Sequence, residues 1–104
     1  METFRKKRID IMVEAPLMQR VLTLLDEHGV SGYTVLPVLA GRGKDGAWHR
    51  DGIVGRAGAL VMIFCILDEA RVGAVLEPLF ALVSRQIGIV TVSDVEVVRG
   101  AQFT

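Results

Sequence analysis

Residues 59–67 (ALVMIFCIL) are all apolar, and this run constrains the fold more than any other feature of the chain. Its length and its β-branched and aromatic residues favour a strand over a helix. Because successive side chains of a strand point to opposite faces, both faces of this strand carry only apolar groups. The sheet that contains it must therefore be covered on both sides.

Sequence patterns before this run predict two strands and a helix. The first strand, 8–13, alternates between Ile or Val on one face and Asp10 and Met12 on the other. A helix begins at Pro16, since a first turn does not need the N–H that proline lacks, and it ends at Gly29. The second strand, 33–39, contains Pro37, which predicts a position at the sheet edge or a bulge.

A second helix and a last strand are predicted after the apolar run. Asp68 can cap this helix, and Pro78 within it predicts a kink. The last strand, 89–98, changes its apolar face near Ser93 and Asp94, which predicts a bulge.

The resulting order, β-α-β-β-α-β, is that of the ferredoxin-like α+β fold, as a single domain spanning residues 1–104. Two helices would cover one face of a four-stranded antiparallel sheet. No segment remains to cover the other face, and an exposed apolar sheet face is an aggregation hazard. We therefore expect a homo-oligomer that buries this open face.

Charge and cysteine content exclude several classes of protein. The formal net charge is zero, so no basic field favours nucleic acid. Cys65 is the single cysteine, which indicates a reducing compartment, and no uncharged apolar run reaches the roughly 18 residues of a membrane span. We expect a cytoplasmic protein that does not insert into membranes. The basic run 5–8 is interpreted as a solvated strand entrance, and Asp10 and Glu14 as surface residues at a strand end.

The connection at 41–58 (GRGKDGAWHRDGIVGRAG) holds six glycines, four lysine or arginine side chains and the single tryptophan. A structureless connection of this length in so small a domain is usually functional. Glycine allows backbone N–H groups to approach a ligand, and the basic side chains suit an anion. We expect a mobile loop that binds a ligand or a partner, with Trp48 either anchoring that partner or folding back on its own subunit.

The run GVSGYTVLPVLAGRGKDG (29–46) resembles the second strand and loop base of the nitrogen-regulatory P-II signalling proteins, and TVSDVEVVR (91–99) is similar to their last strand. The likeness is closer to the P-II-like proteins associated with inorganic-carbon metabolism and carboxysome operons. It implies a homotrimer whose open sheet faces pack inward. It also implies adenine nucleotides in the clefts between subunits and a loop that responds to the ligand.

The resemblance carries site residues over position by position. It implies that Thr34 contacts adenine and that the backbone of Gly41 and Gly43 approaches the phosphates, where consecutive N–H groups make an anion nest. Where the nitrogen regulators have a lysine after the glycine that begins the last strand, this chain has Ile89, so ADP or AMP is expected in preference to ATP unless Arg85 or Lys44 substitutes for that lysine. The remaining implied nucleotide positions are Arg56, Arg85, Gly88 and Arg99.

The same resemblance suggests bicarbonate as a second ligand, with Arg42, Lys44 and Gly46 as candidates to hold it. A partner protein (a transporter, an enzyme or a carboxysome component) would be contacted through the segment 48–50. No Tyr, Ser or Thr lies between Ala40 and Gly58, so ligand occupancy rather than covalent modification would switch the loop. The partner-binding candidates are Trp48, His49 and Arg50.

Two other functions remain open at this point. One is a divalent-metal-binding trimer of the cation-tolerance type, and the other is a small ferredoxin-like enzyme acting at the sheet face. Cys65, His28 and His49 have no metal-ligand spacing, and no nucleophile–base pair stands out, so we expect a non-enzymatic protein without a covalent cofactor. His28 is assigned a structural role at the end of a helix.

Overall fold

The computed structural model describes residues 1–43, 46–49, 59–85, 88–99 and 103–104. Within them lie six strands and two helices. The elements are β1 (Phe4–Glu14), α1 (Ala15–Glu27), β2 (Thr34–Pro37), β3 (Ala40–Gly43), β4 (Gly46–His49), β5 (Leu60–Leu67), α2 (Glu69–Val83) and β6 (Gly88–Val97).

The main sheet has four antiparallel strands in the order β2-β5-β1-β6. This arrangement, with its two helices, confirms the predicted ferredoxin-like architecture. β2 is an edge strand, which explains how Pro37 is accommodated without costing the sheet an inner hydrogen bond. One row crosses the whole sheet from edge to edge, through Pro37, Val61, Val13 and Gly88.

The core lies between the sheet and the two helices. β1 contributes Ile9, Ile11 and Val13, which are fully buried, and β5 contributes its odd-numbered residues. Each such side chain stabilises the fold by roughly 1.5–3 kcal/mol through burial. No polar or charged residue among those described is buried. The helices supply Leu17, Val21, Leu25, Val75, Leu79 and Val83.

Both ends of α1 have the features that the sequence predicts. Pro16 lies in its first turn, and Gly29 adopts a left-handed φ of 69° just after the helix. Nδ1 of His28 lies 2.9 Å from the carbonyl oxygen of Leu24, and Arg71 of α2 donates a hydrogen bond to the carbonyl of His28. His28 therefore closes a helix end that α2 holds in place.

The predicted bulge in the last strand is wrong. The β1–β6 ladder runs without interruption from Phe4↔Val97 to Val13↔Gly88. Val90 packs against the core, whereas Val95 has the opposite parity and belongs to the open face. The apolar residues change from the helix-covered face to the open face along β6, while the backbone stays regular.

The basic run at 5–8 is only partly solvated: Arg5 is exposed, whereas the next three side chains are half-buried and form ion pairs. It lies inside β1, and Lys6 pairs with Asp68, Lys7 with Asp94, and Arg8 with Asp10. Asp68 does occupy the position before α2, yet its side chain makes no cap hydrogen bond because its carboxylate binds Lys6. Asp10 likewise lies in the middle of β1 and not at a strand end.

Helix α2 continues through Pro78 to Val83, so the proline does not end the helix. One further expectation is corrected. The connection after β2 is not wholly structureless, because β3 and β4 pair as an antiparallel two-stranded sheet, with Gly41 opposite Trp48. The remainder of the predicted loop, 44–45 and 50–58, lies outside the described residues.

The open sheet face has two zones. The first zone lies at the end of the sheet where β2 leads into β3, which we call the β3 end. It is apolar and includes Leu36, Met12, Met62 and Ile89, of which Leu36 and Ile89 are 46% and 54% exposed. The second zone lies toward the start of β1 and carries charged and hydroxyl groups on β1 and β6. The apolar zone agrees with the expected need for a cover, and the polar zone was not anticipated.

Candidate ligand-binding site

The loop base is formed by β3, which holds two of the predicted phosphate-contacting glycines. Gly41 and Gly43 pair with Trp48 and Gly46 in an antiparallel ladder, so the backbone of 41–43 is extended. Neither glycine has a positive φ. An extended strand presents alternate N–H groups, so residues 41–43 by themselves do not form a nest of consecutive ones. A Cβ added at Gly43 would meet no atom within 4 Å, which leaves room for a ligand to approach.

Thr34 begins the edge strand β2 and is exposed. It pairs with Phe64 of β5 and shares with it the open face of the sheet. Its hydroxyl is therefore available at the outer edge of the domain, on the face that the helices leave uncovered.

Gly88 and Arg85 lie at the β3 end of the sheet, on the side of the opposite edge strand. Gly88 begins β6, and Arg85 is exposed just after α2. A Cβ built on Gly88 would lie 3.2 Å from the carbonyl oxygen of Met12 and 3.4 Å from Cγ1 of Val13. A side chain here would crowd the backbone of β1, so strand packing favours glycine at this position apart from any ligand.

These positions do not converge within one chain. Three inter-strand spacings, about 14 Å, separate the ends of the row from Pro37 to Gly88. β6 extends about 30 Å from Gly88 to Val97 by strand rise, and Arg99 follows it at the other end of the sheet. The structure therefore brings the loop base and Gly88 to one end of the domain and leaves Arg99 at the other.

Four of the remaining predicted site residues lie in β3 and β4. Arg42 is exposed in β3, opposite Ala47. Gly46, Trp48 and His49 contribute the backbone of β4. Lys44, Arg50 and Arg56 lie outside the described residues.

A second concave region, of about 480 Å³, lies at the start of β1 and the end of β6. Its lining includes Arg5, Lys7, Asp94 and Glu96, so both signs of charge are present. The hydrogen bond and charge of Lys7 lower the pKa of Asp94, and Asp94 raises the pKa of Lys7 in return. The region is internally neutralised and offers no net attraction to an anion.

The described part of the chain contains neither a metal-binding cluster nor a membrane-spanning helix. No group of three or more His, Cys, Asp or Glu side chains among those residues is arranged to hold a metal ion. Neither helix described has the length and apolar composition of a bilayer-spanning segment.

Comparison with known families identifies the chain. The model of the family described as nitrogen regulatory protein P-II matches residues 6–102. The chain belongs to the P-II family. This confirms the resemblance carried by residues 29–46 and 91–99. No curated protein matches the chain.

Solved P-II-like structures match nearly the whole chain. CPII from Thiomonas intermedia K12, a nitrogen regulatory PII-like protein bound to ADP, AMP and bicarbonate, is 30% identical with a TM-score of 0.87, covering 98% of this chain and 96% of CPII. The apo form of CPII is 28% identical with a TM-score of 0.73, covering 92% and 95%. A protein from Thermus thermophilus, described as PII-like, has the same fold at 24% identity, with a TM-score of 0.81 and full coverage of both chains.

Proposed function

We propose that this P-II-like regulatory protein is a non-enzymatic homotrimer that binds ADP or AMP, together with bicarbonate, in clefts between its subunits. Its loop would then control a partner protein of inorganic-carbon metabolism. The observation that carries this proposal is the separation of the implied nucleotide residues, with Gly41, Gly43 and Gly88 at one end of the sheet and Arg99 at the other. One chain cannot close such a site, and a neighbouring copy can.

The open sheet face supports the assembly. Leu36 and Ile89 are large apolar side chains that remain about half exposed in the single chain, and Met12 and Met62 lie between them. Packing copies together through this face removes that surface from water, at roughly 25 cal/mol per Å² of apolar area. A closed ring of copies leaves no apolar face exposed.

The ligands follow from the site and from the relatives. CPII binds ADP, AMP and bicarbonate. In this chain Ile89, an apolar residue, follows Gly88, so no lysine is available there for a third phosphate. Arg42 and Lys44, next to the backbone of Gly43, are the groups that we assign to the bicarbonate, since a guanidinium suits a planar oxyanion.

In this proposal the loop is the part of the protein that contacts the partner. β3 and β4 already form a hairpin in the single chain, and Trp48 lies within it, opposite Gly41. A ligand held at Gly41 and Gly43 would act directly on the backbone that positions this tryptophan. Because the hairpin is a small two-stranded element with little stability of its own, ligand occupancy can shift its conformation.

The decisive experiment is complementation between two variants. Gly43→Ala would impair the loop-base half of each site, and Arg99→Ala the half contributed by the neighbour. Each homo-oligomer alone should lose ADP affinity in calorimetry. After the two are unfolded together and refolded as mixed oligomers, about one quarter of the seams should combine two intact halves and bind ADP normally.

The mixture distinguishes shared from unshared sites. Recovery of high-affinity binding supports the inter-subunit site, and absence of recovery in confirmed mixed oligomers contradicts it. Titration of the wild-type chain with ADP, AMP and ATP, each with and without bicarbonate, tests the ligands. Tight preference for ATP, or nucleotide affinity that bicarbonate leaves unchanged, would overturn the corresponding assignment.

A further inference from the structure

The polar zone of the open sheet face is centred on one ion pair. Nε of Arg8 lies 3.0 and 3.1 Å from the two carboxylate oxygens of Asp10, and Nη2 lies 2.9 Å from Oδ1. The side chains are only 35% and 20% exposed in the single chain. Cζ of Arg8 also lies 4.0 Å from the ring centroid of Phe64, within the range of a cation–π contact. The guanidinium is therefore held in a defined position.

This pair lies on the central strand β1, with hydroxyl groups beside it. Arg8 is directly opposite Ser93 of β6, and Asp10 is directly opposite Thr91. Both hydroxyl residues are exposed. On the β5 side the neighbours are the apolar residues Ile66 and Phe64. Any copy of the chain that covers the apolar zone must also come close to this polar zone.

The guanidinium retains donors that the single chain does not use. It has five N–H groups, and its hydrogen bonds involve Nε and Nη2 alone. Both N–H groups of Nη1, and one of Nη2, therefore have no acceptor among the described residues. If another subunit covers the face, these groups lose water, and burial without an acceptor is unfavourable. The covering surface must then supply oxygen atoms.

A second copy of the same chain has such oxygens at the same place. Its Asp10 carboxylate and the hydroxyls of Thr91 and Ser93 lie on its own open face. Because Asp10 already neutralises Arg8 within each subunit, bringing copies together buries no uncompensated charge. The residual demand of Arg8 is for hydrogen-bond acceptors in one direction, which only certain arrangements of copies satisfy.

We propose that the Arg8–Asp10 pair fixes the register and the number of copies in the assembly, a role that rests on the proposed self-association through the open face. The apolar zone drives association without directional preference. The pair excludes arrangements that leave the free N–H groups of Arg8 unsatisfied, so specificity comes from the penalty on the wrong arrangements. A single buried polar group performs this function in coiled coils.

Two variants and one control test this role. Asp10→Asn leaves Arg8 charged and without its carboxylate. The double variant Arg8→Met with Asp10→Leu makes the zone apolar at similar volume. Asp94→Asn is the matched control, because it removes one carboxylate from an ion pair with Lys7 that lies on the other face of the sheet. Sedimentation velocity measures self-association, native mass spectrometry counts the copies, and circular dichroism verifies the fold.

The expected result has three parts. Asp10→Asn should raise the concentration needed for half-assembly by about tenfold or more. The double variant should still associate, but as a mixture of copy numbers, and Asp94→Asn should match the wild type. If Asp10→Asn fails to fold, the double variant alone decides, since it leaves no charge to be buried.

Contrary results separate this proposal from the function on which it rests. The role of the ion pair, but not the assembly, would be rejected by either of two results. One is a trimeric wild type with an Asp10→Asn variant that associates equally well, and the other is a double variant with the single copy number of the wild type. A wild-type chain that stays monomeric at all concentrations, with and without ADP, would reject the assembly itself, and ADP calorimetry on that sample would show whether nucleotide binding survives.

Discussion

Gly88 lies so close to β1 that a Cβ built on it would be 3.2 Å from the carbonyl oxygen of Met12. Contacts of this kind are tighter than most Cβ atoms tolerate, and the atom in the way belongs to the backbone of the central strand. The glycine that the family resemblance assigns to phosphate binding therefore also has a packing role in the single chain.

Gly88→Ala should lower the free energy of unfolding by about 1 kcal/mol, since the methyl group forces β6 away from the Met12 carbonyl. Urea denaturation followed by circular dichroism measures this loss. The control is Gly73→Ala in α2, where an added Cβ meets nothing within 4 Å and where alanine should stabilise the helix by about 0.5–1 kcal/mol. Equal stability of both variants would contradict the packing argument.

Gly43→Ala should separate ligand binding from stability. The added methyl group meets no atom within 4 Å in the single chain, so the stability should stay within about 0.5 kcal/mol of the wild type. If the phosphates of ADP approach the backbone there, the same methyl group should weaken ADP binding by about tenfold or more. Calorimetry and urea denaturation on one preparation give both numbers, and unchanged ADP affinity would remove Gly43 from the site.

Much of the architecture follows from patterns that burial imposes on the sequence. The apolar run at 59–67 predicted a strand that is apolar on both faces, and β5 is such a strand, lying between β2 and β1. Pro37 predicted an edge position or a bulge, and β2 is an edge strand. These predictions succeed because a strand that is apolar on both faces is best accommodated inside a sheet, and a strand proline lacks an N–H to donate.

The failures also have physical causes. The parity change near Ser93 reflects apolar residues that move from one face of a regular strand to the other, which the sequence alone does not distinguish from a bulge. The β3–β4 hairpin was missed because glycine-rich strands lack the alternating apolar pattern. The Arg8–Asp10 pair was detectable, since residues two apart on a strand share a face, but the charge run around it suggested a solvated segment. One chain leaves Arg99 at the opposite end of the sheet from the loop base, so its assignment to the site rests on the proposed cleft between copies.

The Lys7–Asp94 pair should add a small stability that depends on pH. Lys7 lowers the pKa of Asp94, so the contribution is present above the unfolded-state pKa of about 3.9 and is lost as the pH falls through the lower folded value. Asp94 raises the pKa of Lys7, so the contribution persists below about pH 10.4 and is lost as the pH rises through the folded value. The pair is exposed, which keeps the effect small.

Asp94→Asn tests that window. At pH 7 the variant should be slightly less stable than the wild type in urea denaturation, and the difference should shrink to nothing as the pH falls through the lowered pKa of Asp94, because the wild-type carboxylate is then protonated as well. A high-salt series should reduce the difference at pH 7, because exposed pairs are screened. A difference that grows as the pH falls would contradict the sign of the pKa shift.

Cys65 should be unreactive in the folded protein. It is 2% exposed in β5, and burial raises the pKa of its thiol to about 11. At pH 8 about one thiol in a thousand is then ionised, and the thiolate is the nucleophile. Because the folded pKa lies above the unfolded value, the thiol favours the folded state below about pH 9, and this advantage is lost as the pH rises toward 11.

Ellman's reagent at pH 8 should therefore modify the chain at the rate of unfolding, and at once in guanidinium chloride. In the matched control, Cys65→Ala with Ser84→Cys, the single thiol stands at an exposed position after α2 and should react within seconds to minutes without denaturant. Rapid modification of the folded wild type would mean that β5 is accessible to solvent from the helix face, which would contradict the core described above.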